Sequence, residues 1–172
     1  GKQFKSILEN NNIDFIESMS RADNEEDVSI DLYSYTPTHV VSFIGRTHGE
    51  GYSTIDYLEQ KDKLVENVRD NLFSPFTLAE MCRKQNIHYT YLGTGCIFKY
   101  DGDYKFDEDD KPNFFGSSYS VVKGFTDRMM KHYENVLNIR IRMPIVSEYH
   151  PRNFITKITS YDKICSIPNS MT

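Results

Sequence analysis

The sequence predicts an α/β fold built on a parallel β-sheet. Short segments rich in β-branched and aromatic residues alternate along the chain with segments of helical periodicity. The connections between them are short, as right-handed crossover units require. A parallel sheet of this kind is normally covered by helices on both faces, and its chemistry lies at the carboxyl ends of the strands. We therefore expect functional side chains directly after the predicted strands.

In the first half of the chain, two helices alternate with two strands. Residues 2–11 carry apolar side chains at helical spacing, and residues 13–18 follow as a strand. Residues 25–35 are predicted as a polar helix. The run 38–44, THVVSFI, is β-branched and apolar enough for a buried parallel strand, which Gly45 ends.

The middle of the chain predicts a long helix, a strand and an acidic loop. The helical pattern covers residues 62–84, and Pro75 is expected to kink it. Residues 88–92, HYTYL, form the next strand, and Gly93-Thr94-Gly95 lies at its carboxyl end. The acidic segment 101–110 is either a solvated surface loop or a lid above the strand end.

One more helix and strand continue the alternation. Residues 117–133 are predicted as a helix and residues 137–142, LNIRIR, as a strand that Pro144 ends. Tyr119 and Lys123 lie four residues apart on this helix and therefore share one face. An ammonium at that distance can lower the pKa of a phenol and suit it to proton donation, although the same spacing also fits an exposed amphipathic helix.

Composition and charge exclude several classes of function. The 172 residues suffice for one domain with a core, and the net charge of -5 with a pI near 5.5 argues against nucleic acid as a partner. No apolar run approaches the ~20 residues of a membrane span, and no signal-peptide pattern is present. Three cysteines without C-x-x-C spacing favour a reducing compartment, so we expect a cytoplasmic protein. The histidines lack ligand spacing, and no metal site is predicted.

Several motifs, in one order, resemble a known family over nearly the whole chain. They are Gly45, Asn71, Thr94-Gly95-Cys96-Ile97-Phe98, Tyr119-x-x-x-Lys123 and Arg142-Met143-Pro144. Together they are similar to the extended short-chain dehydrogenases/reductases of the dTDP-4-dehydrorhamnose reductase group. The stretches TGCIF, EDDKPNFFGSSYS, RIRMPI, PRNFITKI and IPNSMT further resemble the bifunctional UDP-4-keto-6-deoxy-glucose 3,5-epimerase/4-reductases, the rhamnose synthases of plants and giant viruses.

The resemblance implies a Rossmann-like, doubly wound parallel sheet that binds a dinucleotide. Family members begin with a strand and a G-x-x-G-x-x-G turn, and Gly1 matches the last glycine of that turn. They also continue beyond IPNSMT into a substrate-binding lobe. The resemblance thus implies that the first strand and most of the C-terminal lobe are lacking, with a partial NADP-binding domain over residues 1–146 and the start of the lobe over residues 147–172.

The activity that the resemblance implies has two parts: epimerisation at C3 and C5 of UDP-4-keto-6-deoxy-glucose, and NADPH-dependent reduction at C4, giving UDP-L-rhamnose. In the reduction, Tyr119 would donate a proton, Lys123 would lower the Tyr119 pKa and bond the nicotinamide ribose, and Thr94 would bond the ketone oxygen. Cys96 and Lys157 would be the acid/base groups of the epimerisation. The residues alone leave other readings open: Thr94 as a turn hydroxyl, Cys96 as a core residue and Lys157 as a surface lysine.

The same resemblance assigns residues to the cofactor and to the substrate. Arg21 follows the second strand of the domain, where a guanidinium can pair with a 2′-phosphate, so NADPH is expected and NADH is the alternative. Otherwise Arg21 is a solvated loop cation, and Asn71, assigned to positioning the lysine, is an ordinary helix residue. The other cofactor contacts are Gly1, Gly45, Asn71, Tyr119, Lys123 and Pro144. The substrate contacts are Thr94, Cys96, Arg152, Asn153 and Asn169.

Two rival functions stay open at this stage. A monofunctional 4-keto reductase acting on an already epimerised dTDP or UDP sugar would need neither Cys96 nor Lys157. A non-catalytic regulatory subunit of the same fold, like that of methionine adenosyltransferase, would not need Thr94, Tyr119 and Lys123 intact. The expected partner is a nucleotide sugar, with neither nucleic acid nor membrane, and a homodimer is an open alternative.

Overall fold

Three parallel strands form the sheet of this chain, which we describe from a computed structural model over residues 1–101, 104–142, 145–151 and 153–164. The strands are β1 (His39–Ser42), β2 (His88–Thr94) and β3 (Val136–Ile141), in the order β1-β2-β3. Both strand pairs are parallel and helices separate the strands along the chain. The predicted α/β fold is therefore confirmed.

The helices are numbered here in their order along the chain. They are α1 (Lys2–Asn10), α2 (Glu25–Tyr35), α3 (Leu64–Val68), α4 (Ser74–Lys84), α5 (Ser118–Met130) and α6 (Phe154–Thr159), with a 3-10 turn at Ile55–Glu59 and a π turn at Arg69–Phe73. None of the helices within the described ranges is both long and apolar enough to cross a membrane.

Residues 13–18 form no strand, and that prediction is wrong. A strand requires hydrogen bonds to a neighbouring strand, and the sheet formed by the described residues ends at β1 on one side and β3 on the other. Ile13 and Ile16 are exposed, and the Ile13 N–H bonds back to the Leu8 carbonyl at 3.0 Å, which closes α1. The other three predicted strands are confirmed, with small shifts of their ends.

The predicted helix of residues 62–84 is interrupted by the π turn just before Pro75. Pro75 has no N–H, so the carbonyl of Asn71, four residues earlier, lacks its helical donor. The Thr126 hydroxyl on α5 supplies the missing hydrogen bond, with Oγ1 2.6 Å from the Asn71 carbonyl oxygen. The irregularity that Pro75 causes is thus used to join α5 to the π turn.

Alternation along the strands gives the sheet two different faces. Tyr89 and Tyr91 of β2 lie on the face that α2, α4 and α5 cover, which we call the covered face. Its core consists of Val28, Leu32, Ala79, Cys82, Ile87, Tyr89, Tyr91 and Met130. By strand register, the opposite or open face carries Val41, Leu137 and Ile139, which are 37%, 50% and 38% exposed. Helices were expected on both faces; α2, α4 and α5 lie on the covered face, and α1 contacts the residue after β1 through Phe4 and Phe43.

Candidate active site

The amino end of α5 is fixed by its own N-cap and by a distant carboxylate. The N-cap residue Ser117 accepts a hydrogen bond from the Ser120 N–H at 3.1 Å. The Glu59 carboxylate accepts from the N–H groups of Ser118 at 2.9 Å and Tyr119 at 3.2 Å. Negative charge is stabilised at this end of a helix by free N–H groups and by the helix dipole. Glu59 therefore holds the turn that carries Tyr119, a contact that the sequence analysis missed because no local pattern signals it.

Tyr119, Thr94 and Cys96 meet at the carboxyl end of β2. Thr94 is the last residue of the strand, and both it and Tyr119 are buried. The Cys96 N–H donates to Thr94 Oγ1 at 3.1 Å, and the Cys96 side chain packs against a buried cluster of Tyr57, Leu58 and Tyr119. The structure thus brings a phenol, a hydroxyl and a thiol into one place, while their catalytic roles stay predictions.

Burial, rather than a neighbouring cation, dominates the ionisation of Tyr119. Burial raises the pKa of Tyr119 to about 12, the Cys96 thiol adds to this rise, and a hydrogen bond with the Thr94 hydroxyl opposes it. The expectation that Lys123 lowers the Tyr119 pKa is wrong for this structure, because the ammonium is directed at a different phenol. Tyr119 therefore keeps its proton at neutral pH.

Lys123 is buried against Tyr91, a residue that the sequence analysis missed. Lys123 Nζ donates a hydrogen bond to the Tyr91 hydroxyl and lies 4.5 Å from the centroid of the Tyr91 ring. Burial lowers the pKa of Lys123 to about 8, while Asp127 and Cys96 act in the opposite direction. Burial also raises the pKa of Tyr91 well above its usual value, so this phenol stays neutral. Strand alternation, which places Tyr91 on the face that α5 covers, is the signal that could have identified it.

A buried ion pair joins α5 to β3 beside this site. The Arg140 guanidinium donates to both oxygens of the Asp127 carboxylate at 2.8 Å, and Asn138 Nδ2 donates to the same carboxylate at 2.8 Å. Arg140 also donates to the backbone carbonyls of Asp107 and Asp110, each at 2.9 Å. Arg140 therefore holds part of the acidic segment against the sheet. The sequence had predicted either a solvated loop or a lid for this segment.

Gly45 and Asn71 lie next to Lys123 at the carboxyl end of β1. Gly45 has φ +139°, a conformation that side chains other than hydrogen rarely allow, and a Cβ there would lie 3.0 Å from Asn71 Oδ1 and 4.0 Å from Lys123 Nζ. The buried Asn71 side chain accepts from the Arg46 N–H at 3.0 Å and donates to the Arg46 carbonyl at 2.9 Å. Asn71 thus fixes the loop after β1 and brings its backbone close to the ammonium.

Two of the predicted cofactor residues lie on the surface. Gly1 is the exposed N-cap of α1. The Arg21 guanidinium donates to both carboxylate oxygens of Asp23 at 3.0 Å, and this hydrogen bond lowers the pKa of Asp23. Both residues were assigned to phosphate groups of the cofactor, and these assignments stay predictions.

Two predicted residues lie on or at α6. Lys157 is exposed, and its role in the epimerisation stays a prediction. Asn153 is buried and caps α6: its Oδ1 accepts from the Ile155 N–H at 3.3 Å, and its Nδ2 donates to the carbonyls of Val146 at 2.7 Å and Glu148 at 3.0 Å. Both amide protons of Asn153 are therefore used within the chain, and its predicted substrate contact stays a prediction.

The remaining predicted residues lie outside the described ranges; they are Pro144, Arg152 and Asn169. No metal site was predicted from the sequence. Among the described residues, no group of three or more histidine, cysteine, aspartate or glutamate side chains could hold a metal ion.

The fold and the helix that carries Tyr119 and Lys123 define a class of protein. No protein-family model matches the chain. In structure, the dTDP-4-dehydrorhamnose reductase of Clostridium acetobutylicum matches 92% of the chain, with a TM-score of 0.76 and 16% sequence identity, so this likeness establishes the fold alone. The class that this fold defines is that of the Rossmann-type α/β proteins.

Two relatives narrow the class to a family. The chain is 61% identical over 178 residues to protein L780 of Acanthamoeba polyphaga mimivirus, covering 100% of this chain and 62% of L780. The crystal structure of L780, a UDP-rhamnose synthase, superposes with a TM-score of 0.94. The chain is also 39% identical to a bifunctional dTDP-4-dehydrorhamnose 3,5-epimerase/dTDP-4-dehydrorhamnose reductase of Arabidopsis thaliana, covering 96% of this chain and 56% of that enzyme.

The chain therefore belongs to the short-chain dehydrogenase/reductase group that contains these nucleotide-sugar enzymes, and the family resemblance of the sequence is confirmed. It spans about six-tenths of the length of L780, as the 62% coverage states.

Proposed function

We propose that this protein epimerises C3 and C5 of UDP-4-keto-6-deoxy-glucose and reduces C4 with NADPH, which gives UDP-L-rhamnose. The observation that carries this proposal is the meeting of Tyr119, Thr94 and Cys96 at the end of β2, with Lys123 buried one turn later on α5. The identity of the two relatives supports it, since one is a UDP-rhamnose synthase and the other a bifunctional epimerase and reductase.

In the reduction, bound NADPH would supply a hydride to the C4 carbonyl carbon of the sugar. Negative charge then builds on the carbonyl oxygen. Tyr119 transfers its phenolic proton to this oxygen, and Thr94 donates a hydrogen bond to it. Because the pKa of Tyr119 is raised to about 12, the phenol is protonated and ready to donate at neutral pH.

The epimerisation needs a base that removes a proton from a carbon beside the ketone and an acid that returns one to the opposite face. Removal of the proton leaves an enolate, whose charge Thr94 stabilises by a hydrogen bond to its oxygen. Cys96, half-buried beside Tyr119, is placed to exchange a proton on one face. Lys157 is proposed for the other face.

The residues around Lys123 fit the nicotinamide ribose. An ammonium has three donors, and the contacts described for Lys123 use one of them, toward Tyr91. Gly45 has no Cβ, which leaves space beside the Lys123 ammonium that a larger residue would fill. We place the ribose hydroxyls there, with Asn71 holding the loop that borders them.

Arg21 is proposed to pair with the 2′-phosphate that distinguishes NADPH from NADH. Arg21 is exposed and bonded to Asp23, so the 2′-phosphate would replace the Asp23 carboxylate as the partner of the guanidinium. Gly1 and Pro144 are proposed to border the remaining part of the cofactor. NADH is the alternative if Arg21 keeps its bond with Asp23.

A monofunctional 4-keto reductase is the second candidate function. The observation that favours it is the exposure of Lys157 on α6. A reductase without epimerase activity would need only the phenol, the hydroxyl and the buried lysine.

The experiment that tests the first proposal supplies the full-length protein with UDP-4-keto-6-deoxy-glucose and NADPH in deuterated water. We expect NADPH oxidation and the entry of solvent deuterium at C3 and C5 of the product, followed by mass spectrometry and NMR. Cys96→Ala should stop the exchange at these carbons. Tyr119→Phe should abolish NADPH oxidation and leave the exchange.

The matched control for Cys96→Ala is Cys82→Ala, which removes a buried thiol from α4 far along the covered face. It should change neither activity beyond its effect on stability. Equal loss of exchange and oxidation in the Cys96 and Tyr119 variants would contradict the division of roles. Oxidation of NADPH with only an already epimerised sugar would instead establish the monofunctional reductase.

A further inference from the structure

We propose that Tyr91 is the positioning residue of Lys123: its hydroxyl holds the buried ammonium toward the place of the nicotinamide ribose and so governs the affinity for the reduced dinucleotide. This inference rests on the proposed function of Lys123 as a cofactor ligand. Neither the Tyr-x-x-x-Lys pattern nor the family motifs quoted from the sequence includes Tyr91.

The contact is formed by two side chains that are almost fully removed from water. Tyr91 is 1% exposed and Lys123 4% exposed. The ammonium donates to the Tyr91 hydroxyl and lies 4.5 Å from the ring centroid, so one side chain supplies both a hydrogen-bond acceptor and an aromatic face. Tyr91 pairs with Ser42 of β1 and Asn138 of β3, so it stands on the central strand, the most constrained position in the sheet.

The charged and titratable groups around Lys123 come from two sides. Tyr91 and Cys96 face it from β2 and the turn after β2, and Tyr119 and Asp127 come from its own helix. The π turn contributes the uncharged side chain of Asn71.

Of these groups, Tyr91 is the acceptor closest to the ammonium. The Asp127 carboxylate is the main negative charge, yet it is bound to Arg140 and Asn138. Tyr91 is the group to which Lys123 donates a hydrogen bond in the described structure. The position of the ammonium therefore depends on this phenol.

The direction of the effect follows from which form of Lys123 the contact favours. Burial already lowers the pKa of Lys123 to about 8, and a hydrogen bond donated by the ammonium favours the charged form. Removing the acceptor should therefore lower the pKa further, by about one unit for a hydrogen bond to a charged group. The ammonium form of Lys123 binds the ribose, so the affinity for the dinucleotide falls as the pH rises through the Lys123 pKa. In the variant this fall should occur at a lower pH than in the parent protein.

The test compares Tyr91→Phe with Tyr89→Phe in the full-length protein. Both changes remove one phenolic oxygen from a buried tyrosine on the same face of β2, but the Tyr89 hydroxyl lies near Ser42 and Cys82. NADPH binding is measured by the fluorescence of the nicotinamide from pH 6 to 9.5. For Tyr91→Phe we expect the pH midpoint of binding to move down by about one unit and the dissociation constant at pH 8 to rise about fivefold. Tyr89→Phe should keep the parent profile.

A second measurement separates this inference from the proposed function. Lysine labelled with 13C at Cε reports the titration of Lys123 by NMR without any cofactor, and Lys123→Arg identifies its signal. If the parent protein does not bind NADPH, the proposed function fails, while a lower midpoint in Tyr91→Phe still supports the role of Tyr91. An unchanged midpoint in Tyr91→Phe overturns that role, whatever the cofactor result.

Should Tyr91→Phe unfold, a double-mutant cycle with Lys123→Met tests the same contact. An unpaired buried ammonium destabilises the fold, so Lys123→Met should restore stability lost in Tyr91→Phe. Strictly additive effects of the two changes on the urea midpoint would show that the side chains do not interact and would refute the proposal.

Discussion

The two faces of the sheet differ in what their side chains contact. On the covered face, tyrosines and polar residues of the strands contact α2, α4 and α5. The candidate site lies on this face and at the carboxyl ends of the strands. On the open face, Val41, Leu137 and Ile139 leave a third to a half of their surface in water. The same three strands therefore supply a polar, closely bonded face and an apolar, uncovered one.

The difference shows that apolar character alone does not identify the functional face. Strand β3 reads Val136-Leu137-Asn138-Ile139-Arg140-Ile141, and its polar residues point toward α5 while two of its apolar residues point to the open face. Buried polar groups persist in proteins where they have partners, and here Asp127 is the partner. The polar residues of β3 therefore mark the side on which the site is built.

The largest effect should come from breaking the buried ion pair of the covered face. Asp127→Ala leaves the Arg140 guanidinium, which is mostly buried, without its carboxylate, and we expect a loss of about 3–5 kcal/mol in the free energy of unfolding. Urea unfolding followed by circular dichroism measures it. Glu80→Ala, which breaks the exposed pair with Arg83, is the control and should have no comparable effect. A loss in Asp127→Ala no larger than in the control would mean that the pair does not join α5 to β3.

Cavity-forming substitutions should separate the two faces by the next largest margin. Met130→Ala removes a buried side chain from the core of the covered face and should cost about 2–4 kcal/mol of unfolding free energy. Leu137→Ala removes a half-exposed side chain from the open face and should cost less than about 1 kcal/mol. Both are measured by urea unfolding of this chain. Equal costs would show that something covers the open face in solution.

A buried lysine on the covered face should make stability depend on pH. The folded pKa of Lys123, about 8, lies below its usual 10.5, so between these values the unfolded chain binds a proton that the folded chain has lost. The free energy of unfolding should therefore rise with pH through this window, by about 2 kcal/mol from pH 8 to 10, and show no slope from Lys123 below pH 8. Above pH 10 the raised pKa values of buried tyrosines act in the opposite direction.

Lys123→Met should remove this rise, whereas Lys157→Met, a change at an exposed lysine of α6, should keep it. The measurement is the urea midpoint at intervals between pH 7 and 10. A parent protein and a Lys123→Met variant with parallel pH profiles would contradict the lowered pKa.

The order of the elements could be predicted from the sequence because local signals determine it. The β-branched run 38–44 predicted β1, and the periodic apolar residues of α4 and α5 predicted these helices. These patterns were enough to predict that helices and strands alternate. The strand predicted at residues 13–18 failed because pairing is not local: its composition is suitable, but no neighbouring strand bonds to it in the described residues.

The site could be predicted in part, where motif spacing carries the chemistry. Tyr119, Thr94 and Cys96 are brought together as their spacing and the family resemblance suggested. Motif spacing reveals neither Tyr91 nor Glu59, because each contacts a residue far along the chain. Strand alternation places Tyr91 on the covered face, but only the fold shows that Lys123 meets it there. The predicted effect of Lys123 on the Tyr119 pKa failed because spacing places two residues on one face without fixing where the ammonium points.

The smallest expected effect concerns Glu59, which reaches α5 from the 3-10 turn. Glu59→Gln keeps the shape of the side chain and removes the charge that bonds the N–H groups of Ser118 and Tyr119, so the loss of unfolding free energy should be about 1 kcal/mol. Glu9→Gln, which removes a charge from the exposed surface of α1, is the control and should leave the urea midpoint unchanged.

The effect of Glu59→Gln on activity should exceed its effect on stability, because the Tyr119 N–H is one of the two groups that lose the bond with the carboxylate. We expect kcat for NADPH oxidation to fall about tenfold while the KM for NADPH stays the same, since Lys123 lies a full turn further along the helix. A fall in kcat with no loss of stability would still support a positioning role for Glu59. Unchanged kcat in a destabilised variant would show that the first turn of α5 keeps its geometry without the carboxylate, and that Ser117 alone suffices to orient the phenol.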